Sequence, residues 1–258
     1  MTIKVALGGY GRMGKIAESY FASDPDIEIV YGVTRNPPTR NSGQFPIYPP
    51  EVLLSGDLPT VDMWLDFSRP GGAMQNIPTV VKKRIKPIIG TTGFATEEQQ
   101  YLRNVLEESG IPCFWDSNFS LGVNVMAYLV EQATKSLQGY DVEVGERHHN
   151  RKRDGPSGTE LNILFNAIRR VREEATETYR EPTKDHLRRL EEVGLSYQRA
   201  GDNPGRHEVV FGGNREELVI SHQVFEPVVF VGGAKTAILW LYEQNTSGIY
   251  RFRDILGI

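Results

Sequence analysis

Cysteine is nearly absent from this sequence of 258 residues, which contains only Cys113. A single cysteine excludes an internal disulfide framework and is typical of proteins in a reducing compartment. It lies in the apolar segment Ile-Pro-Cys-Phe-Trp, a context that favours a buried side chain over a reactive thiol. We therefore expect a cytoplasmic protein.

Long apolar runs and a strong charge bias are also missing. No run reaches the length of a transmembrane helix, and the chain reaches glycine at Gly8 too early for a signal peptide. The 29 basic and 33 acidic residues give a formal net charge of −4, which argues against nucleic acid or an acidic membrane surface as a partner. We expect neither kind of partner.

Apolar runs and helical patterns alternate over the first half of the chain. Because parallel strands need crossover connections, usually helices, this alternation predicts a parallel sheet covered on both faces. The predicted strands are residues 3–7, 27–33, 63–67, 86–90 and 111–115, and the predicted helices are residues 14–22, a helix from about residue 72, and residues 96–109.

The pattern changes after Asn118, which indicates a domain boundary. Strands then follow one another more closely, and this grouping predicts an antiparallel or mixed sheet in a second, α+β domain. The predicted strands are residues 141–148, 195–200, 207–211 and 217–225, and the predicted helices are residues 123–137, 159–175, 185–193 and 234–242.

A glycine-rich segment, Gly8-Gly9-Tyr10-Gly11-Arg12-Met13-Gly14, follows the first predicted strand directly. Glycines in this pattern permit the tight strand-to-helix turn and the close approach of backbone amides to a pyrophosphate. The pattern alone is weak, but its position between a strand and a helix favours a dinucleotide site. The first domain is therefore predicted to be a Rossmann-like parallel sheet, so the fold class is α/β.

The end of the second predicted strand lacks the carboxylate that holds the ribose 2′-hydroxyl in many NAD sites. It reads Val33-Thr34-Arg35-Asn36. Arg35 could meet a 2′-phosphate, with Thr34 or Asn36 adding a hydrogen bond, although a solvated loop arginine is the alternative. These residues favour NADPH as the cofactor and leave NADH possible.

Two further turns follow the third and fourth predicted strands, at the end of the sheet where open α/β proteins bind ligands. The first contains Phe67 and Ser68, and the second contains Gly90 and Thr92. A glycine lets the backbone approach a flat ring, and a threonine can hydrogen-bond an amide such as nicotinamide. Ordinary turn chemistry is the alternative interpretation of both segments.

The segment from Glu146 to Thr159 concentrates chemical groups more than any other part of the sequence. It joins His148-His149, Lys152 and a Pro-Ser-Gly-Thr turn. Histidine exchanges protons near neutral pH, lysine carries positive charge, and a turn that opens a helix offers free amides to an anion. The segment predicts a pocket for a small anionic substrate that is protonated during the reaction.

A metal site is not predicted from these histidines. Adjacent residues on a strand point to opposite faces, so His148 and His149 make a poor pair of ligands. The remaining histidines lie outside any motif and are interpreted as ordinary sheet or surface residues. They are His186, His207 and His222.

These motifs together resemble the dihydrodipicolinate reductase (4-hydroxy-tetrahydrodipicolinate reductase) family. The resemblance also rests on the segment Asn118-Phe119-Ser120-Leu121-Gly122-Val123-Asn124-Val125-Met126, and the motifs occur in the family's order over nearly the whole chain. It implies NADPH-dependent reduction of a cyclic, unsaturated imine-type dicarboxylate in lysine and diaminopimelate biosynthesis. It also implies a homotetramer formed through the sheets of the C-terminal domains.

The resemblance assigns roles to individual residues. It implies that His148 and Lys152 are catalytic, and it leaves open which of them donates the proton. The predicted substrate-binding residues are His149, Ser157, Gly158 and Thr159. The predicted cofactor-binding residues are Gly8, Gly11, Arg12, Met13, Gly14, Thr34, Arg35, Phe67, Ser68, Gly90, Thr92, Asn118 and Phe119.

The change of pattern after Asn118 and the family resemblance together give the expected domains. A dinucleotide-binding domain is expected at residues 1–118, with residues 229–258 returning to it. A substrate-binding and oligomerisation domain is expected at residues 119–228.

Two positions depart from the family pattern. Pro227 stands near the position of a usual substrate-binding arginine, and Glu160 replaces a usual alanine after Gly158-Thr159. Losing a cation and gaining a carboxylate should weaken the binding of a dicarboxylate substrate, unless other arginines compensate. These departures leave open a relative that reduces a different cyclic imine or enamine acid. Two further alternatives are an amino-acid dehydrogenase, such as an aspartate dehydrogenase, and an NADPH-binding sensor without catalysis.

Overall fold

The structure is a computed structural model that describes residues 2–38, 43–179 and 187–258. The strands of these residues are β1 Ile3–Gly8, β2 Ile27–Val33, β3 Ile47–Tyr48, β4 Met63–Asp66, β5 Lys86–Ile89, β6 Pro112–Trp115, β7 Asp141–His148, β8 Thr176–Thr178, β9 Glu192–Arg199, β10 Gly205–Gly212, β11 Glu217–Val224 and β12 Gly248–Tyr250.

The helices are α1 Arg12–Phe21, α2 Val52–Ser55, α3 Pro70–Lys82, α4 Thr96–Glu108, α5 Leu121–Ser136, α6 Asn166–Arg169, α7 Val228–Glu243 and α8 Phe252–Leu256, with a π-helix at Glu160–Phe165. None of the described helices is long and apolar enough to cross a membrane. The chain divides into two compact units, Met1–Phe119 with Val228–Ile258, and Ser120–Pro227.

The first unit contains a seven-stranded sheet in the order β12-β6-β5-β4-β1-β2-β3 among the described residues. Every neighbouring pair is parallel. The strand order reverses between β1 and β4, and ligands of open α/β sheets bind in the crevice at such a reversal. This confirms the predicted Rossmann-like parallel sheet.

Both faces of this sheet are buried, because its central strands are apolar at nearly every position. In β1 the residues from Val5 to Gly8 are all buried. One face packs against α1, α7 and α8 around Leu7 and Ile238, and the other packs against α3 and α4 around Trp64 and Ile77. These two layers hold the carboxyl ends of β1 and β4 in fixed positions.

The second unit contains a mixed sheet in the order β11-β10-β7-β9-β8 among the described residues. The pairs β7–β10 and β10–β11 are antiparallel, whereas β7–β9 and β8–β9 are parallel. Along β10 every second residue is buried, which is the pattern of a sheet with one covered face. The helices α5 and α6 and the π-helix cover that face, and the predicted mixed sheet is confirmed.

Two predicted helices of the second unit are wrong in part. The prediction for residues 185–193 begins outside the described residues, at 185–186, and its described part contains no helix because β9 begins at Glu192. Val193 and Leu195 are buried and pair with Val142 and Val144 of β7, so burial in the sheet outweighs the helical propensity of the charged residues before them.

The predicted helix at residues 159–175 is also shorter than expected. It is divided into the π-helix and α6, which ends at Arg169, and β8 follows at Thr176. Arg172 is buried and its guanidinium donates to the carbonyl oxygens of Leu137 and Tyr140 at 2.7 and 3.0 Å, contacts that a continued helix would have to replace.

Candidate active site

The glycine-rich loop of the first unit packs tightly behind the β4 loop. Gly9 has φ +90°, and a Cβ atom there would lie 2.7 Å from the Cα atom of Ser68 and 2.8 Å from the carbonyl oxygen of Phe67. Only glycine adopts this backbone conformation without strain and fits this space. The loop therefore turns directly from β1 into α1.

The amino terminus of α1 is open. Its N-cap is Gly11, which has no side chain to cap the first amides, and no acidic residue lies in the first turn. No described atom lies within 4 Å of the position that a Gly11 Cβ would take. Free amides at the positive end of a helix, with open space before them, fit a pyrophosphate.

Asp66 joins the two turns that were predicted to bind the cofactor. Its Oδ1 accepts hydrogen bonds from the backbone amide and hydroxyl of Ser68, at 3.1 and 2.6 Å, and from the Thr91 hydroxyl at 2.6 Å. The indole of Trp64 donates to Oδ2 at 2.9 Å. The carboxylate is fully buried, so it fixes both turns at the carboxyl ends of β4 and β5.

Phe67, Gly90 and Phe119 lie together beside these turns. The two rings meet edge to face with their centroids 6.0 Å apart. A Cβ atom on Gly90 would lie 2.6 Å from Phe67 and 3.2 Å from Phe119, so glycine is needed for the rings to approach this backbone. Nearby, Thr92 is exposed and Asn118 is half-buried.

Arg35 is exposed at the end of β2 and extends toward the start of α3. Its Nη2 atom is 3.5 Å from the position of a Cβ on Gly71, while the backbone amide of the preceding Thr34 donates to Tyr48 at 2.9 Å. The predicted cofactor residues of the first unit thus lie around the strand-order reversal, and their arrangement fits a dinucleotide.

The second unit brings together a buried polar cluster at one end of its sheet. Glu146 and His148 occupy alternate positions of β7, on the face that buries Val142 and Val144. The antiparallel register places His207 of β10 directly opposite Glu146. The polar cluster therefore continues the covered face of the sheet.

Glu146 is at the centre of this cluster. Its Oε2 atom is 3.5 Å from Nδ1 of His148 and 3.4 Å from Nε2 of His207. Its Oε1 atom accepts from the backbone amide of Ser157 at 3.0 Å and from the Arg199 guanidinium at 2.7 Å. One carboxylate thus contacts groups from β7, β9, β10 and the Pro-Ser-Gly-Thr turn.

These contacts set the charges of the cluster. Burial alone would raise the pKa of Glu146, but its contacts with His207, Ser157 and Arg199 outweigh burial and lower the pKa to about 2. Burial lowers the pKa of His148 to about 4, against the opposing charge of Glu146. At neutral pH the free protein therefore holds a charged Glu146 beside a neutral His148.

Lys152 and His149 lie outside this hydrogen-bonded cluster. The Lys152 ammonium pairs with Asp154 at 2.7 Å, and its positive charge contributes to the lowered pKa of His148. His149 is half-buried just after β7 ends, Gly158 is exposed, and Thr159 is half-buried. Among the predicted substrate residues, Ser157 donates its backbone amide directly to Glu146 of the cluster.

Glu160 directly follows the Pro-Ser-Gly-Thr turn, and its backbone amide donates to the Ser157 hydroxyl at 3.3 Å. It is fully buried, and its carboxyl group approaches the backbone of Ser196 without a well-formed hydrogen bond. Burial, together with the negative charge of Glu146, raises the pKa of Glu160 to about 8. At neutral pH this side chain is a neutral acid, so it does not add the negative charge that the sequence indicated.

The donor atoms of Glu146, His148 and His207 lie within 4.8 Å of one another, a spacing that a metal ion could bridge. Arg199 already donates to the same carboxylate, however, and the charges of Arg199 and Lys152 both act at His148. These cations oppose a further positive ion, so the cluster is better suited to an anionic ligand.

Sequence reasoning missed two members of the cluster and assigned no role to Glu146. His207 and Arg199 belong to strands far along the chain, and only the strand register places them here. His222, also treated as ordinary, is half-buried with Nε2 3.4 Å from the Ser120 hydroxyl at the start of α5. His186 lies outside the described residues. The one available signal was that Glu146 and His148 share a strand face.

The fold and these sites define a two-unit oxidoreductase that uses a nicotinamide dinucleotide. The models of the N-terminal and C-terminal parts of dihydrodipicolinate reductase match residues 3–119 and 122–256, respectively. The chain belongs to the dihydrodipicolinate reductase family.

Individual relatives extend over the full chain. It is 36% identical to the 4-hydroxy-tetrahydrodipicolinate reductase of Caldanaerobacter subterraneus over 262 residues, which cover 99% of each chain. It is 34% identical to the enzyme of the same name from Methanoculleus marisnigri over 98% of each chain. The solved dipicolinate-bound dihydrodipicolinate reductase of Paenisporosarcina sp. TG-14 has the same fold, with a TM-score of 0.76, 23% identity and coverage of 97% and 98%.

Proposed function

We propose that this protein reduces 4-hydroxy-tetrahydrodipicolinate to tetrahydrodipicolinate, with loss of the 4-hydroxyl group as water, in lysine and diaminopimelate biosynthesis. The observation that carries this proposal is the match of both family models along nearly the entire chain. The cluster of Glu146, His148, His207 and Ser157, beside the Lys152 segment, supplies groups that such a reaction needs.

His148 and Lys152 are the proposed catalytic residues. Reduction of a conjugated imine sends negative charge toward the ring nitrogen, so an acid beside that atom lowers the barrier, typically by about 10²- to 10⁴-fold. Burial keeps His148 neutral in the free protein. A bound dicarboxylate would favour its protonated form, and Lys152 is the other group able to supply the proton.

The substrate carboxylates would be held by the Pro-Ser-Gly-Thr turn and its surroundings. His149, Ser157, Gly158 and Thr159 are the proposed contacts. The turn precedes a helical segment, so its amides can bind an anion, and its position is fixed by the hydrogen bond from Ser157 to Glu146. The cations of Arg199 and Lys152 attract a dianion to this end of the sheet.

NADPH is the proposed cofactor, with NADH possible, and it would supply the hydride. The glycine-rich loop, with Gly8, Gly11, Arg12, Met13 and Gly14, would hold the pyrophosphate. Thr34 and Arg35 would meet the adenosine ribose and its 2′-phosphate. Residues at the carboxyl ends of β4, β5 and β6 would hold the nicotinamide, namely Phe67, Ser68, Gly90, Thr92, Asn118 and Phe119.

A homotetramer joined through the second unit is the proposed assembly. Supporting it, the edge strand β11 exposes Leu218 and Val219, at 43% and 44% of their full accessible surface. Exposed apolar side chains on an edge strand mark a surface on which another chain can associate. Association of identical copies would cover it.

The proposed compartment is the cytoplasm. Cys113 is a free, buried cysteine, and burial raises the pKa of its thiol to about 12. An inert thiol and the absence of a second cysteine are what a reducing compartment favours.

Turnover with enzymatically generated 4-hydroxy-tetrahydrodipicolinate tests this function. Oxidation of NADPH should be rapid in the wild type and should fall by about 10²-fold or more in His148→Gln and Lys152→Ala. Both variants should bind NADPH as tightly as the wild type, because the substituted residues lie in the second unit. Equal activity in all three proteins would remove the assigned roles.

A different cyclic imine or enamine acid is the second candidate substrate, favoured by Pro227 at a position where the family usually has arginine. A panel of such acids, with one and two carboxylates, discriminates the two. Preference for a monocarboxylate would favour this alternative. Tight NADPH binding without oxidation by any member of the panel would favour a sensor.

A further inference from the structure

We propose that Glu146 is a positioning residue that sets the tautomer and orientation of His148 and ties them to the substrate-binding turn. This inference rests on the proposed function. Glu146 touches no part of the surface where substrate would bind, since its side chain is fully buried. It would act through the histidine and the turn.

The geometry selects one nitrogen of His148. Nδ1 lies 3.5 Å from the Oε2 atom of Glu146, an electrostatic contact rather than a hydrogen bond, and neither atom has a hydrogen-bond partner among the described residues. A carboxylate beside Nδ1 stabilises the tautomer that carries the proton there. Nε2 is then the nitrogen that can exchange a proton with a ligand.

Gly205 allows the ring to occupy this position. A Cβ atom on Gly205 would lie 3.1 Å from Nε2 of His148, closer than most side chains tolerate. The ring of His207 packs against His148 edge to face with the centroids 5.2 Å apart. Gly205 and the His207 ring therefore confine the His148 imidazole, and Glu146 would set the orientation of its two nitrogens.

The same carboxylate also holds the turn that precedes Gly158. Its Oε1 atom accepts the amide of Ser157, and the Ser157 hydroxyl is 3.4 Å from Nε2 of His207. Arg199 donates to Oε1 and also to the carbonyl oxygen of Asp154, so the turn and the segment just before it are both attached to the cluster. The proton donor and the carboxylate-binding amides are thereby held by one group.

Glu146→Gln separates these two effects. The amide oxygen of glutamine can still accept from Ser157 and Arg199, so the turn should stay in place and KM should change less than about threefold. The charge beside Nδ1 is lost, so kcat should fall by about 10²-fold or more, a range seen when a histidine loses its orienting carboxylate. In the pH profile of kcat, the apparent pKa that belongs to His148 should move to lower pH, because the neighbouring negative charge is gone. Glu146→Asp keeps the charge and should recover part of kcat.

Nitrogen NMR of ¹⁵N-histidine-labelled full-length protein tests the inference without turnover. The His148 signals, assigned with His148→Gln, should show the Nδ1–H tautomer in the wild type and a shift toward Nε2–H in Glu146→Gln. Glu160→Gln replaces a neighbouring buried carboxyl that is already neutral, so it should leave the His148 signals unchanged.

Three results would overturn the proposal. They are an Nε2–H tautomer in the wild type, an unchanged tautomer in Glu146→Gln, or an unchanged kcat with a raised KM. Because the wild-type tautomer is measured directly, the proposal is decided even if Glu146→Gln does not fold. A wild type that has the expected tautomer but reduces no substrate would instead refute the proposed function.

Discussion

Glu160 is a buried acid whose ionisation the fold opposes. Its folded pKa of about 8 lies above the ordinary carboxyl value of 4.5. Between these two values the folded protein keeps a proton that the unfolded chain releases. Stability from this group is therefore greatest at low pH and is lost as pH rises toward about 8.

Glu160→Gln should remove this pH dependence. Glutamine resembles the neutral acid, so the variant and the wild type should have similar thermal midpoints near pH 5, and the variant should be more stable near pH 9. Glu146, with a pKa of about 2, stays charged throughout this range and does not mask the effect. If the difference between the thermal midpoints of the two proteins stayed constant from pH 5 to pH 9, the pKa of Glu160 would not be raised by folding.

Two glycines of the first loop are expected to matter for different reasons. Gly9→Ala should destabilise the protein by about 1–3 kcal/mol, because its φ of +90° is strained for other residues and the Ser68 backbone blocks a side chain. Gly11→Ala meets no neighbouring atom, so its thermal midpoint should fall much less, by the small cost of alanine at an N-cap.

Gly11→Ala should nevertheless weaken NADPH binding, on the order of tenfold or about 1.4 kcal/mol, because its methyl group would occupy the space before α1. Calorimetric titration with NADPH measures this difference. If Gly11→Ala bound NADPH as tightly as the wild type, the pyrophosphate would have to lie elsewhere.

For individual residues, motifs identified the segment that carries the proposed catalytic residues, but not the side chains from other strands that contact it. Glu146 and His148 could be placed on one strand face from their spacing alone. His207 could not, because it enters the cluster through the β7–β10 register, which depends on the packing of Val209 and Phe211 rather than on any local pattern. The neutral state of Glu160 likewise depends on burial by residues distant in sequence.

The carboxyl end of α7 is hydrogen-bonded by a lysine of the parallel sheet. The ammonium of Lys86 on β5 donates to the carbonyl oxygens of Leu241, Tyr242 and Gln244 at 3.1, 2.8 and 2.7 Å. These carbonyls lie at or just past the negative end of the helix, and that of Leu241 also accepts from the backbone amide of Gln244 at 3.1 Å. The Lys86 side chain thus links the end of α7 to β5 of the parallel sheet through hydrogen bonds.

Lys86→Met should destabilise the first unit by about 1–3 kcal/mol, since the apolar stem is kept and the charged hydrogen bonds are lost. The thermal midpoint of unfolding measures the effect, and Lys82→Met, at an exposed position of α3, is the matched control. Equal midpoints for the two variants would mean that water replaces the ammonium without cost.

Elements with a strong local pattern were predictable from the sequence, whereas elements fixed by tertiary contacts were not. The apolar run of β2, Ile27–Val33, has the predicted bounds. The segment before β9 has a helical composition, but Arg188 there donates to the carbonyl oxygens of Val142 and Glu192, contacts that follow from the sheet. The two-residue strand β3 and the short α2 carry too little pattern to be found.

For the whole molecule, the proposed tetramer gives a direct size prediction. The wild type should have about four times the 29.0 kDa mass of the chain by light scattering. Leu218→Lys with Val219→Lys should give smaller species, because charge on the edge strand opposes association. Leu54→Lys, at an apolar position exposed to 76% on α2, should leave the mass unchanged. A monomeric wild type would contradict the assembly.

Transfer of deuterium from the cofactor to the substrate tests the proposed hydride transfer and the role of His148 together. NADPH that carries deuterium at the reactive position of its nicotinamide ring is mixed with the protein and freshly generated 4-hydroxy-tetrahydrodipicolinate, and the product is analysed by NMR. We expect deuterium at carbon 4 of tetrahydrodipicolinate, with rapid formation by the wild type and formation slower by about 10²-fold or more in His148→Gln. A product without deuterium, or equal rates in the two proteins, would contradict this expectation.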